Sequence, residues 1–154
     1  MQTFDKPPWY RDGIFFSCSK CSSCCRGESG YVFLSREDAQ RLGDSCDLKL
    51  EEFIQTYCRW VDDGAEKLLS LKEKSSYDCI FWKNGCSVYK NRPLQCRTYP
   101  FWPSMLESKE IWAETSSSCP GVKSKKLKSF LYIQKLVKLE KRWKCMIKSA
   151  LNEL

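Results

Sequence analysis

Four thiols fall within eight residues in the stretch Phe16-Ser17-Cys18-Ser19-Lys20-Cys21-Ser22-Ser23-Cys24-Cys25. A Cys-x2-Cys step lets two thiolates turn onto one metal ion, and a second x2 step adds a third ligand to the same concave loop. Cys24 and Cys25 are adjacent, and adjacent side chains usually diverge. One of them is expected to complete the loop's site while the other faces a second metal, a bridging position or the core. Four unligated thiolates this close repel one another, so a metal-free state is costly. Four more cysteines follow in Asp78-Cys79-Ile80-Phe81, Gly85-Cys86-Ser87-Val88-Tyr89, Arg92-Pro93-Leu94-Gln95-Cys96-Arg97-Thr98-Tyr99-Pro100-Phe101 and Ser118-Cys119-Pro120-Gly121. Cys18, Cys21, Cys24, Cys25, Cys79, Cys86, Cys96 and Cys119 are therefore eight candidate ligands, the number that two four-ligand sites require. Cys46, Cys58 and Cys145 lie on expected helices or their edges and read as packing thiols.

The chain of 154 residues has 11 cysteines and no histidine. Without imidazole there is no Ser-His-Asp or Cys-His nucleophile, no His-ligated zinc protease site and no histidine proton shuttle. Any metal must be held by thiolate or oxygen. No glycine-rich phosphate loop and no pair of catalytic carboxylates accompanies the cysteines, so whether the chain is an enzyme stays open. The N-terminus lacks a charged segment followed by an apolar one, and no run of 18 apolar residues occurs. The protein is expected to be neither secreted nor membrane-spanning, hence cytoplasmic. Disulfides do not persist in a reducing cytosol, where clustered thiols are metal ligands instead.

All-thiolate ligation suits zinc and an iron–sulfur cluster alike. Cys18-x2-Cys21-x2-Cys24 with a remote Cys119-Pro120 is similar to the bacterial ferredoxin run that binds a 4Fe-4S cluster. Zinc sites favour two Cys-x2-Cys knuckles, of which only one is present. The spacing divides the ligands into Cys18, Cys21, Cys24 and Cys119 against Cys25, Cys79, Cys86 and Cys96. Arg92, Arg97 and Tyr99 surround Cys96 and have two readings. The arginines cap carbonyls and balance thiolate charge, or they donate to the sulfurs of a cofactor or hold an anionic substrate. Trp82, Phe101 and Trp102 are expected to roof the site from water.

The elements that must position these residues read as α+β: a small cysteine-rich, metal-stabilised domain of short strands and helices over 1–122, then a basic amphipathic helix within 123–154. Tyr31-Val32-Phe33-Leu34 is a short β-type run. Ser35 with Asp38 makes a capping-box start for a helix over 36–42 that Gly43 should stop. Asp47 should cap a second helix that places Leu50, Phe53, Ile54 and Tyr57 on one face. Lys67–Leu71 and Tyr77–Trp82 read as paired strands, and Asn84-Gly85 as a turn. From about Ser124 to about Leu151 apolar residues recur at a 3.6-residue period, which predicts one long amphipathic helix. Residues 1–120 carry 16 basic and 17 acidic side chains, whereas 121–154 carry 10 basic and 2 acidic, so the tail supplies the whole net charge of +7.

The ordered set of Phe-x-Cys…Cys-Cys, Cys-x-Phe, Gly-Cys-Ser-Val-Tyr, Arg-Pro-x2-Cys-Arg-x-Tyr-Pro-Phe and Cys-Pro-Gly resembles the YkgJ-type cysteine-cluster family. This is the CxxCxxCC domain, described as chelating zinc or iron. The resemblance runs from about Phe15 to Val122 and implies metal chelation. The two residues between Cys18 and Cys21 are one fewer than in many members, and the basic helix lies outside the family core. A related cysteine segment occurs in flagellin lysine methylases, larger proteins resembling iron–sulfur enzymes. The reading is a small metal-binding module for binding, assembly or redox work, with the basic helix as the surface for a protein partner. Nucleic acid and an anionic membrane surface are less favoured partners for that helix. The alternatives are an enzyme related to the iron–sulfur lysine methylases, or a metal storage or delivery protein.

Overall fold

The structure, a computed structural model, describes residues 6–151. In chain order the elements are β1 (Ile14–Phe15), α1 (Arg36–Ser45), α2 (Leu50–Tyr57), β2 (Cys58–Asp62), β3 (Lys67–Leu71), α3 (Leu94–Thr98), α4 (Lys109–Thr115), β4 (Leu127–Lys128) and α5 (Phe130–Arg142). Short 3-10 turns link them, so the class is α+β as expected. The chain divides into two compact units: residues up to Cys21 with Pro100–Lys141, and Ser22–Tyr99 with the residues from Arg142 onward.

The second unit is built on α1, α2 and the β2–β3 hairpin. Ser35 and Asp38 form the expected capping box: the Asp38 N–H donates to Ser35 Oγ at 3.0 Å and the Ser35 N–H donates to Asp38 Oδ2 at 3.2 Å. The helix does not stop at Gly43 but runs to Ser45. Gly43 serves close packing instead, because a Cβ there would lie 3.1 Å from the Leu48 carbonyl and 3.3 Å from Phe53 Cβ. The second helix begins at Leu50 after Lys49 rather than at Asp47, whose φ of 58° places it in the left-handed region. Leu50, Phe53 and Ile54 are buried on one face as the spacing predicts. They meet Leu34, Leu42, Leu69, Leu71, Phe81 and Met146 in the core.

Lys67–Leu71 does pair as a strand, but its partner is Cys58–Asp62, in register from Cys58↔Leu71 to Asp62↔Lys67. Asp63 closes the turn by accepting the N–H groups of Ala65 and Glu66 at 2.9 and 2.7 Å. Among the described residues the segment 77–82 makes only isolated bridges, Glu73↔Cys79 and Trp82↔Cys86, and none to Lys67–Leu71.

The long C-terminal helix is not formed; α5 has 13 residues. Before it, Leu127–Lys128 is drawn into an antiparallel pair with Ile14–Phe15. After it, the Met146 N–H donates to the Leu34 carbonyl at 2.8 Å and the Leu69 N–H to the Met146 carbonyl at 2.9 Å. Met146 thereby enters the core at 6% exposure. Those backbone groups cannot bond to Leu34 and Leu69 and also continue a helical ladder.

The first unit has an aromatic core. Phe101, 1% exposed, stacks on Trp112 with ring centroids 5.7 Å apart and meets Phe16 edge-on at 5.4 Å. The Trp9 Nε1–H donates to the Leu106 carbonyl at 2.9 Å. Phe101 is thus a packing residue of this core.

Candidate metal centre

Three of the eight expected ligands, Cys18, Cys21 and Cys119, belong to the first unit, and Cys24, Cys25, Cys79, Cys86 and Cys96 belong to the second. None of these cysteines forms a disulfide.

In the second unit the backbone draws separate segments together. The Cys79 N–H donates to the Cys25 carbonyl at 2.8 Å, and the Trp82 N–H donates to the Cys79 carbonyl at 2.9 Å. Asn84 and Gly85, at φ 52° and 131°, make the expected turn that returns the chain so that Cys86 bridges Trp82. Cys96 sits in α3, whose first N–H, from Leu94, is held by the buried Asp38 carboxylate at 3.1 Å. The Cys24 and Cys25 sulfurs stand 3.8 Å apart. The adjacent side chains therefore do not diverge, since Ser22 at φ 68° and the 2.9 Å bond from Cys25 N–H to Ser22 O coil the backbone beneath them.

These five thiols lie in one another's electrostatic field. The Cys25 thiol donates to Cys24 and, with the Cys24 backbone N–H and the Arg92 charge, lowers Cys24 to about 6 against the opposing effect of burial. Cys25 is pushed up by that same hydrogen bond, by burial and by the charges of Cys24, Cys96 and Cys79. Burial, then the charges of Cys79, Cys24 and Cys86, push Cys96 up, and Arg92 opposes them. Cys79 is raised chiefly by burial, against a hydrogen bond from the Phe81 N–H. Without a cation the group keeps most of its thiols protonated. A bound metal ion inverts that balance, because a coordinating thiol is deprotonated outright.

Among the described residues, no three Cys, Asp or Glu side chains already stand as a coordination sphere. The donor chemistry fits a thiolate-bound metal nonetheless. Zinc–sulfur bonds of about 2.3 Å in a tetrahedron place sulfurs about 3.8 Å apart, which is the Cys24–Cys25 separation of 3.8 Å. The Trp82 Nε1–H is buried with no acceptor among the described residues, on the segment between Cys79 and Cys86.

In the first unit the Lys20 N–H donates to Cys18 Sγ at 3.4 Å, with Lys20 at φ 56°. This repeats the bond of the Phe81 N–H to Cys79, a donor two residues after the sulfur in both places. Such donors stabilise thiolate. The Ser17 N–H donates to the Gly121 carbonyl at 3.1 Å, which sets the Cys119 segment beside that of Cys18.

Arg92 is the cation nearest in effect to Cys24 and Cys96. Its guanidinium lies 3.8 Å over the Tyr89 ring and its Nε–H donates to the Tyr89 carbonyl at 2.9 Å. Arg97 donates from Nε to the Arg92 carbonyl at 3.1 Å, sharing that oxygen with Arg41 Nη2 at 3.0 Å. Tyr99 ends α3. Cys58 is buried, which pushes its thiol up to about 12, and Cys145 donates to the Leu69 and Met146 carbonyls.

Sequence reasoning passed over Arg26 and Asp78, and gave Asp38 only the role of a helix cap. Arg26 pairs with Asp78 at 3.2 Å and lies 3.7 Å over the Trp82 ring, bracing the Cys25 and Cys79 segments. Their positions directly after Cys25 and directly before Cys79 were the available signal.

An uncharacterized protein of Methanocaldococcus jannaschii is 27% identical over 111 residues, 67% of this chain and 57% of that protein. The chain thus spans little more than half the length of that relative. No solved structure matches the chain. The CxxCxxCC family, described as "Putative zinc- or iron-chelating domain", matches residues 17–120, and with its cysteines in that family's order the chain belongs to it.

Proposed function

We propose that this protein is a small metal-chelating module whose main centre is made by Cys24, Cys25, Cys79, Cys86 and Cys96. Cys18, Cys21 and Cys119 supply a further thiolate set. The observation that carries this reading is that five thiols from separate chain segments lie in one unit within one another's electrostatic field. The Cys24–Cys25 separation supports a tetrahedral zinc over a 4Fe-4S cluster, whose cysteines each bind a different iron and stand farther apart. Five donors exceed the four that a zinc ion takes, so no coordination position is left for a substrate. That favours a binding or assembly role over catalysis. Reduced thiols in this number suit a reducing compartment such as the cytoplasm.

Anaerobic purification followed by metal analysis and visible absorption tests the proposal. The expected result is a colourless protein with stoichiometric zinc. Brown protein with iron and acid-labile sulfide would replace zinc by a cluster. Cys96→Ser should lose metal and stability together, while Cys145→Ser should keep the metal. The reverse result would overturn the ligand assignment.

A further inference from the structure

The exposed apolar side chains of the first unit are grouped. Phe15 is 54% exposed, and so is Leu127, its register partner across β1 and β4. Cross-strand partners project to the same side of a ribbon. Leu131, in the first turn of α5, is 79% exposed, while Ile133 and Val137 fill the opposite side of that helix at 0% and 7%. Lys135 and Lys138 follow Leu131 at i+4 and i+7, on its own face.

The charge along the segment that carries Leu127 and Leu131 has one sign. Residues 115–139 contain no acidic side chain and six lysines: Lys123, Lys125, Lys126, Lys128, Lys135 and Lys138. The composition discriminates among partners. Protein interfaces enrich arginine and deplete lysine, and this stretch has no arginine. Single-stranded nucleic acid is gripped by aromatic stacking platforms, whereas two of the three most exposed apolar side chains of this unit, Leu127 and Leu131, are aliphatic. Protruding Phe and Leu on a segment whose only charges are lysines match the boundary between headgroups and acyl chains, where ammonium groups meet anionic lipid. We infer that this face docks on an anionic phospholipid bilayer, with Phe15, Leu127 and Leu131 entering the boundary and the lysines pairing with the headgroups. The inference is independent of the metal reading.

The test is sedimentation of the full-length protein, metal as purified, with vesicles of phosphatidylcholine containing about one third phosphatidylserine. Binding to these vesicles is expected, with none to pure phosphatidylcholine, and it should weaken as salt rises above about 0.15 M. Leu131→Asp should weaken binding by about tenfold or more, and Lys125→Glu with Lys126→Glu should abolish it. All three side chains are exposed, so circular dichroism should stay unchanged, and the separate variants guard against a folding defect in either one. Absence of vesicle binding would overturn the inference, as would binding indifferent to Leu131→Asp. Binding of polyglutamate or duplex DNA in place of vesicles, lost in the lysine variant, would assign the face to a macromolecular partner and overturn it equally.

Discussion

Asp38→Asn changes one atom and should unfasten three segments. The carboxylate is 2% exposed. Its Oδ1 accepts from Arg41 Nη2 at 2.8 Å and from the Leu94 N–H at 3.1 Å, and its Oδ2 accepts from the Ser35 N–H at 3.2 Å and Trp143 Nε1–H at 2.9 Å. An asparagine has one oxygen and one NH2, so whichever way it turns, two donors face a donor. A buried donor left without its acceptor costs about 1–3 kcal/mol. The Arg41 side chain is 36% exposed and can recover water, so the cheaper orientation turns the NH2 toward Arg41 and Leu94. The expected loss is about 3 kcal/mol, or about 6–12 °C in melting temperature for a chain of this size. The orphaned Leu94 N–H begins the helix that carries Cys96, so metal retention under competition by a chelator should fall as well.

The pH dependence gives a second readout. Burial pushes the Asp38 carboxyl up, but hydrogen bonds from Trp143, Arg41 and Ser35 win and hold it below its ordinary value of 3.8. The folded protein therefore binds this proton less readily than the unfolded chain. The stabilisation is complete above about 3.8 and is lost as pH falls through the lower folded value. Urea unfolding of both proteins at fixed metal should show a gap that is widest near neutrality and narrows on that acid limb. A gap below about 1 kcal/mol at pH 7, or one constant through the acid limb, would refute the reasoning.

Two further substitutions probe other joints. Gly121→Ala places a Cβ 2.7 Å from the Ser17 carbonyl and 2.6 Å from the Phe16 ring, so thermal unfolding should show a loss of about 2–3 kcal/mol. Trp143→Phe removes one donor to Asp38 at 2.9 Å and should cost about 1–2 kcal/mol. Combined with Asp38→Asn it should cost less than the sum, because both act on one network.

Much of this molecule is local and therefore legible. The Ser35–Asp38 capping box, the Asn84-Gly85 turn and the buried face of Leu50, Phe53 and Ile54 each depend on residues within a turn or two of one another. The absence of histidine confined the metal chemistry to thiolate and oxygen before any fold was known, and the clustered cysteines pointed to thiolate. Long-range competition for backbone hydrogen bonds was not legible. The apolar period of the C-terminal segment is helical throughout, yet residues on either side of α5 are taken by strand partners, Ile14–Phe15 before it and Leu34 and Leu69 after it. Lys67–Leu71 likewise pairs with the preceding Cys58–Asp62 rather than with 77–82, and the β character of that partner was hidden at the end of a helical pattern.

The residue types alone say which atoms are available: eleven thiols, eight of them candidate ligands, no imidazole, and a lysine-rich tail with two acidic residues. Tertiary structure alone decided how they group. It assigned five thiols to one unit and three to the other, kept the adjacent Cys24 and Cys25 sulfurs on the same side, and left Phe15, Leu127 and Leu131 in solvent. The physical reason is that residue type sets what a side chain can bond, whereas its neighbours are set by whichever backbone pairings leave no buried N–H or C=O unsatisfied.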